Sequence, residues 1–409
     1  MTKENSFMRN FNVEILVSIL YPFLILFMYI GRAIYNSTLF IILCSTLFLI
    51  YKNKNLAVFK DGFFKAFITF TIFVAITIPF SQNVGLSASK YGSFFFSSIA
   101  VSISGLYLYF YSVNKQRNLI LALYILFFSS VCMEIITIIS IYFDVNALVY
   151  IKTLGEIKVP VTNGFHLIEI FTSAIIPLSI FLYYFKPSNL KLVFIIISFV
   201  GVLASTSRTA MLATIISLSL FILIKNKGRI FNKEFFFFIA SIFIASFLAF
   251  EISPQIQERV KSFQSTFSSK GDRMSGRFTV YEESFERFKT SILTGHGIKS
   301  STDNYIIVKH KDSNEEVKHP HNIWLELLLD TGLIGAFSFL IFIGYLINFF
   351  YIKTRNITSI HKATIFATLC SIFLSSLSSW SIWSGNHIGP ILAIILIVSS
   401  IEKIAIEES

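Results

Sequence analysis

The sequence predicts an all-α integral membrane protein of about twelve spanning helices, since one span takes roughly 20 apolar residues. Three observations carry that expectation. The 409 residues are 54% hydrophobic and only 14% charged, whereas a soluble domain is about 25% charged. Mean hydropathy is +0.71. The apolar residues also come in long runs without the alternating pattern of a membrane barrel. Helices are then the remaining way to satisfy the backbone in lipid.

The elements follow in order. Runs near 12–31 and 36–51 open the chain, and Lys52, Lys54, Lys60 and Lys65 follow the second. Runs near 63–81 and 92–112 are closed by Lys115 and Arg117. Those near 119–143 and 166–185 end at Lys186 and Lys191. Those near 192–206 and 209–224 end at Lys225, Lys227, Arg229 and Lys233. A ninth run, near 235–250, leads into a polar segment, 251–322. Runs near 323–351, 364–380 and 387–402 finish the chain, with Lys353, Arg355 and Lys362 after the first and Lys403 after the last.

Lys and Arg thus collect after every second span, and the positive-inside rule turns those loops to the cytoplasm. Lys3 and Arg9 put the N-terminus there, and the even span count returns the C-terminus to the same side. The opposite short loops hold Arg32, Lys90, Lys152, Lys158 and Arg208. The first run lacks a small-residue cleavage site after it and is read as an anchor. The chain divides into nine helices over 1–250, an outer loop over 251–322 and three helices over 323–409.

The net charge of +11 is explained by this cytoplasmic bias and carries no nucleic-acid signal. The outer loop itself is nearly balanced in charge. Cys44, Cys132 and Cys370 fall inside apolar runs and read as inert core thiols without a disulfide framework. Within the outer loop Phe278, Tyr281, Phe285, Phe288 and Ile292 recur at helical spacing. That predicts an amphipathic helix, ended by Gly295-His296-Gly297.

The segment 192–224 is long for one span and short for two. Each half of about 15 residues rises roughly 23 Å, against a hydrocarbon core of about 30 Å. Either the helices are longer, or the turn Ser205-Thr206-Ser207-Arg208-Thr209 lies below the outer surface. In the second case Arg208 faces a protein cavity, since arginine facing lipid at depth is costly. Its planar fork suits phosphate or pyrophosphate; the bland alternative is an interfacial arginine reaching for headgroups. Arg277 is read as opening the amphipathic helix after Asp272-Arg273-Met274-Ser275-Gly276, where free N–H groups favour an anion. It is alternatively a solvated loop charge, and Arg273 competes for the same role.

His321 immediately precedes the tenth span, with Asn322 as a helix cap. The helix dipole disfavours imidazolium there, so the ring stays neutral near pH 7 and is able to take a proton from a sugar hydroxyl. A capping histidine is the structural alternative. His310, His319 and His321 lack the carboxylate or thiolate that would complete a metal set, so no metal is expected. Lys90 stands in the outer loop between spans three and four and adds charge to an anion site. Glu134, Glu169, Glu326 and Asp330 read as intramembrane carboxylates, the last two one turn apart on one face.

Several motifs resemble the O-antigen ligase and O-antigen polymerase superfamily, integral membrane glycosyltransferases of the bacterial envelope. They are Ser207-Arg208-Thr209-Ala210, Ser275-Gly276-Arg277-Phe278, Gly295-His296-Gly297, His319-Pro320-His321-Asn322 with Leu325-Glu326, and Thr331-Gly332-Leu333-Ile334-Gly335. The resemblance implies a GT-C-like, metal-independent fold in the inner membrane, needing no cofactor and working on the periplasmic side. It implies an undecaprenyl-pyrophosphate-linked glycan as donor, and as acceptor the lipid A core or a second lipid-linked glycan. The family's two essential arginines fall on Arg208 and Arg277, and its histidine on His321. Length, topology and this set favour a ligase over a polymerase. A glycan-lipid flippase or proton-coupled transporter using Glu134, Glu169 and Glu326 is a third reading, opposed by the absence of an inverted repeat and by the large charged loop.

Overall fold

The computed structural model describes residues 3–143, 166–204, 207–228, 240, 272–299, 306–309, 314–317, 320, 322–377 and 381–404. Among these, twelve α-helices follow the apolar pattern. They are α1 (Lys3–Ile30), α2 (Arg32–Lys52), α3 (Gly62–Thr77), α4 (Val84–Leu106), α5 (Lys115–Phe143) and α6 (His166–Phe185). The rest are α7 (Asn189–Ala204), α8 (Arg208–Lys225), α9 (Asp272–Thr290), α10 (Ile323–Thr354), α11 (Ser359–Ser376) and α12 (Gly385–Val398). Eleven coincide with expected spans and α9 is the amphipathic helix of the outer loop. The expected ninth span, 235–250, falls almost wholly outside the described residues. The outer loop also carries a small antiparallel hairpin, β1 (Ile306–Lys309) and β2 (Asn314–Val317), with Ile306 opposite Val317 and Lys309 opposite Asn314. The amphipathic reading of the loop had not anticipated it.

Six helices among the described residues are long and apolar enough to cross a membrane: α1, α2, α3, α4, α5 and α10. Ile170–Phe185, Asn189–Leu203 and Thr209–Lys225 are shorter apolar helices. The protein is therefore a multi-pass membrane protein. In the bundle α1 packs on α2 and α5, α3 on α10, α4 on α12, and α11 between α6 and α8. Packing of this kind rests on van der Waals fit rather than on escape from water. Phe63, Phe67 and Phe70 line one face of α3 and meet Phe342 of α10 at ring separations of 5.8, 5.8 and 6.1 Å. Phe94 of α4 joins them and stacks edge-on to Trp383 at 5.4 Å.

Two expectations change. Cys44 is exposed on the outward face of α2 beside exposed Phe40, Ile41 and Phe48, and Cys132 and Cys370 are half-buried. The run containing Cys44 was apolar because it meets lipid, so its thiol is not a core group. The second change concerns α10. Gly332 is non-helical inside it, with φ 60° and ψ −158°. Trp324 and Phe339 nonetheless have ring centroids 5.3 Å apart, although fifteen residues of unbroken helix rise about 22 Å. The two halves therefore fold toward each other at Gly332. The stretch from 333 to 354 suffices to span, at about 1.5 Å per residue. Glu326 and Asp330 thus stand in a short helix before the break rather than within the span.

A short turn joins α7 and α8. The helices have 16 and 18 residues, so both are slightly longer than expected yet still short of about 30 Å. Ser207 is 5% exposed and Ala210 fully buried. On α5, Glu134 is fully buried against Gly201 of α7, where the missing side chain makes room for the carboxyl group.

Candidate active site at the outer end of the tenth helix

A helix broken at one residue leaves two N–H groups and two carbonyls without partners, and such groups must be satisfied when buried. In α10 the segment after α9 satisfies them. His296 N–H donates to Leu329 O (2.9 Å) and Gly297 N–H to Asp330 O (2.9 Å). In return Leu333 N–H donates to Ile292 O (2.8 Å) and Ile334 N–H to Leu293 O (3.1 Å). The two segments thus exchange backbone hydrogen bonds and clasp each other. Glycines make the approach feasible. Gly295 and Gly332 both have positive φ, 68° and 60°. A Cβ on Gly295 would lie 2.5 Å from Thr331 N, and one on Gly297 2.7 Å from Ser87 Oγ.

His296 ties this clasp to two further elements. Its Nε2 lies 2.7 Å from Arg287 O and its Nδ1 2.9 Å from Gln82 Nε2. Those partners assign the proton to Nε2, which donates to the carbonyl, while Nδ1 accepts from the Gln82 amide. Gln82 N–H also donates to His296 O at 2.9 Å. Ser87 Oγ–H donates to Ile298 O at 3.3 Å. The short connection from α3 to α4 is therefore part of the same platform.

Charge completes it. Lys299 has φ 62°, which lets one residue reach both carboxylates of the outer helix. Its N–H donates to Asp330 Oδ2 (2.9 Å), and its ammonium lies 2.9 Å from Glu326 Oε1. Glu326 also accepts from Ser381 Oγ (2.7 Å) and, through Oε2, from Ile382 N–H (3.2 Å). Both side chains are largely enclosed, Lys299 at 13% exposure and Glu326 at 2%. A carboxylate expected to be suspicious in lipid is thus fully engaged by protein donors.

At the start of α10, Asn322 Oδ1 accepts from Trp324 N (3.0 Å) and Leu325 N (3.2 Å), so the expected cap is present. A pocket of about 590 Å³ opens beside it, lined by Tyr281, Glu282 and Phe285 of α9 and by Asn322, Trp324, Leu325 and Leu328.

The residues singled out by sequence are placed as follows. Asn322 fixes the helix start immediately after His321; His321 itself, with His310 and His319, lies outside the described residues. Arg208 is the first residue of α8, whose cap Ser207 accepts from Ala210 N–H at 3.3 Å. Arg277 does not open its helix. The helix begins at Asp272, so Arg277 sits in the second turn, beyond the free N–H groups of the terminus. It is one turn before Tyr281, a residue lining the pocket. The guanidinium groups of Arg208 and Arg277 lie outside the described side chains, as does the carboxyl group of Glu169. Lys90 is not in a loop but in the second turn of α4, half-buried. It lies three residues after Ser87 and so on the side of α4 that meets the clasp. Lys299, Gln82 and Ser381 were missed; a lone lysine between glycine and serines gives no periodic signal.

The fold is that of a multi-pass helical membrane protein with a platform clasped around the start of α10. Residues 193–340 match a family model described as O-antigen ligase. The matched region runs from α7 to the first part of the α10 span and contains the clasp, Arg208, Arg277 and His321. A search of curated proteins returned no match.

Proposed function

We propose that this protein is an O-antigen ligase, moving a glycan from undecaprenyl pyrophosphate to the lipid A core on the periplasmic face of the inner membrane, with both termini cytoplasmic. The observation that supports it best is the family match over 193–340, which contains both strands of the backbone clasp, 292–297 and 329–334. In this reading the acceptor hydroxyl oxygen attacks the anomeric carbon in one displacement and inverts it. His321 takes the hydroxyl proton as general base. The bond from the anomeric carbon to the phosphate oxygen breaks, and its electron pair leaves on the lipid pyrophosphate. Arg208 and Arg277 neutralise that developing charge, with Lys90 as a further cation. The pocket between α9 and α10, lined in part by Asn322 next to His321 in sequence, supports a reaction site there.

The alternative inside the family is polymerisation, joining one lipid-linked repeat unit to another, since the histidine motif serves both reactions. Deleting the gene separates them. Loss of a ligase leaves polymerised glycan on undecaprenyl pyrophosphate. Loss of a polymerase leaves single repeats on the core, and loss of a flippase leaves repeats on the cytoplasmic leaflet. Either of the last two outcomes overturns the ligase reading.

A further inference from the structure

We propose that Lys299 and Glu326 are positioning residues for the transfer reaction, forming a buried latch that fixes the outer helix of α10, and with it residue 321, against the loop after α9. The proposal rests on the reading of His321 as the general base. Glu326 lies five residues after His321, in the first turn of α10. Its carboxylate gathers donors from two other parts of the chain: Lys299 after α9, and Ser381 with Ile382 before α12. Any rotation of the short outer helix would break all three bonds together. A second restraint acts one turn on, where Asp330 accepts the Lys299 N–H through its side chain and the Gly297 N–H through its carbonyl. The two carboxylates share one helix face, and Lys299 spans them both.

Such a latch is needed because the outer helix is cut off from the membrane-spanning part by Gly332. An unbroken helix would inherit its orientation from the bundle. A helix interrupted at a glycine does not inherit that orientation, and its angle is set by the backbone clasp and by whatever holds its free end. Buried charge-assisted hydrogen bonds are short and directional and suit that task. Removing one partner leaves the other charge buried without its counterpart, a state the structure relieves by moving. Misplacement of a reacting group by about 1 Å costs on the order of 10²-fold in rate.

The test uses the full-length protein in detergent or nanodiscs. Glu326→Gln and Lys299→Met should each lower turnover about 10²-fold, with donor and acceptor KM changed little. The double variant should be no slower than the worse single one, and Lys299→Arg, which keeps the pair, should stay within a few-fold of wild type. Should Glu326→Gln fail to accumulate, Lys299→Met carries the same measurement, because Glu326 then keeps its Ser381 and Ile382 donors. Amide hydrogen exchange gives a readout independent of catalysis: His296, Gly297, Leu333 and Ile334 should exchange faster in either single variant. Wild-type turnover in Lys299→Met, losses that multiply in the double variant, or unchanged exchange would each overturn the proposal. A wild-type rate for His321→Ala together with faster exchange in Glu326→Gln would instead sink the general-base reading and leave the latch standing.

Discussion

Gly295 and Gly332 stand back to back. A Cβ on Gly332 would lie 2.6 Å from the Gly295 nitrogen and would also strike the Leu293 carbonyl, while one on Gly295 would lie 2.5 Å from the Asp330 carbonyl carbon. Backbone meets backbone on both sides, so no side chain is able to move aside. Gly295→Ala and Gly332→Ala should therefore each be damaging, with strained φ alone costing about 1–3 kcal/mol. Thermal unfolding in detergent checks this, and Gly344→Ala, on the same helix with open space around it, serves as the control. Equal melting of all three variants would show that the clasp does not depend on the missing side chains.

His321→Ala should abolish glycan transfer while the protein still accumulates in the membrane. Loss of a general base costs about 10²–10⁴-fold. A reconstituted assay with lipid-linked donor reads this directly, and transfer near the wild-type rate rules the assignment out.

Arg208→Lys and Arg277→Lys should both be severely impaired, because lysine keeps the charge and loses the fork that grips phosphate oxygens in pairs. Arg277 is the sharper case. Placed in the second turn of α9, it gains little from the helix terminus and must act through its own guanidinium. Full activity with lysine at either position would reduce that arginine to a general electrostatic feature. Lys90→Ala should weaken donor binding more than turnover, seen as a raised KM.

Transfer should proceed undiminished in EDTA, since two arginines and a lysine supply the positive charge that a divalent cation would otherwise bring to a pyrophosphate. Activity lost to the chelator and restored by added metal would point to His319 and His321 as ligands.

Most of the bundle was legible in the sequence because lipid imposes its own pattern. Apolar runs near 63–81, 119–143 and 166–185 became helices within a few residues, and Lys and Arg punctuated them. The errors fall where tertiary contact overrides local signals. Ser275-Gly276 reads as a break, yet α9 runs through it from Asp272. Gly332 stands in the Thr331-Gly332-Leu333-Ile334-Gly335 motif, but the fold-back at it is not readable, because no proline marks it and the apolar run continues on its far side. Gly295-His296-Gly297 reads as a helix stop, and α9 does end just before it at Thr290. Its larger task of completing another helix's hydrogen bonds involves residues more than 30 positions away. The same distance hides Lys299, whose partners are Glu326 and Asp330. Asn322 was readable as a cap because a cap is a local device.

The clasp has one further consequence, for how this outer segment tolerates change. Lys299 and Asn322 are both anchored to the same short helix, so the chain between them leaves and returns to a single place. Its two ends are held by the 292–299 segment and the Asn322 cap, whatever its length. Doubling the length of a flexible connection between fixed points costs only about 0.6 kcal/mol. The part of this stretch before His319-Pro320-His321 should therefore tolerate divergence, lengthening or replacement while the hinge at Gly332 and the spans beneath it keep their register. Changes there need not disturb the clasp at Gly295 and Gly332.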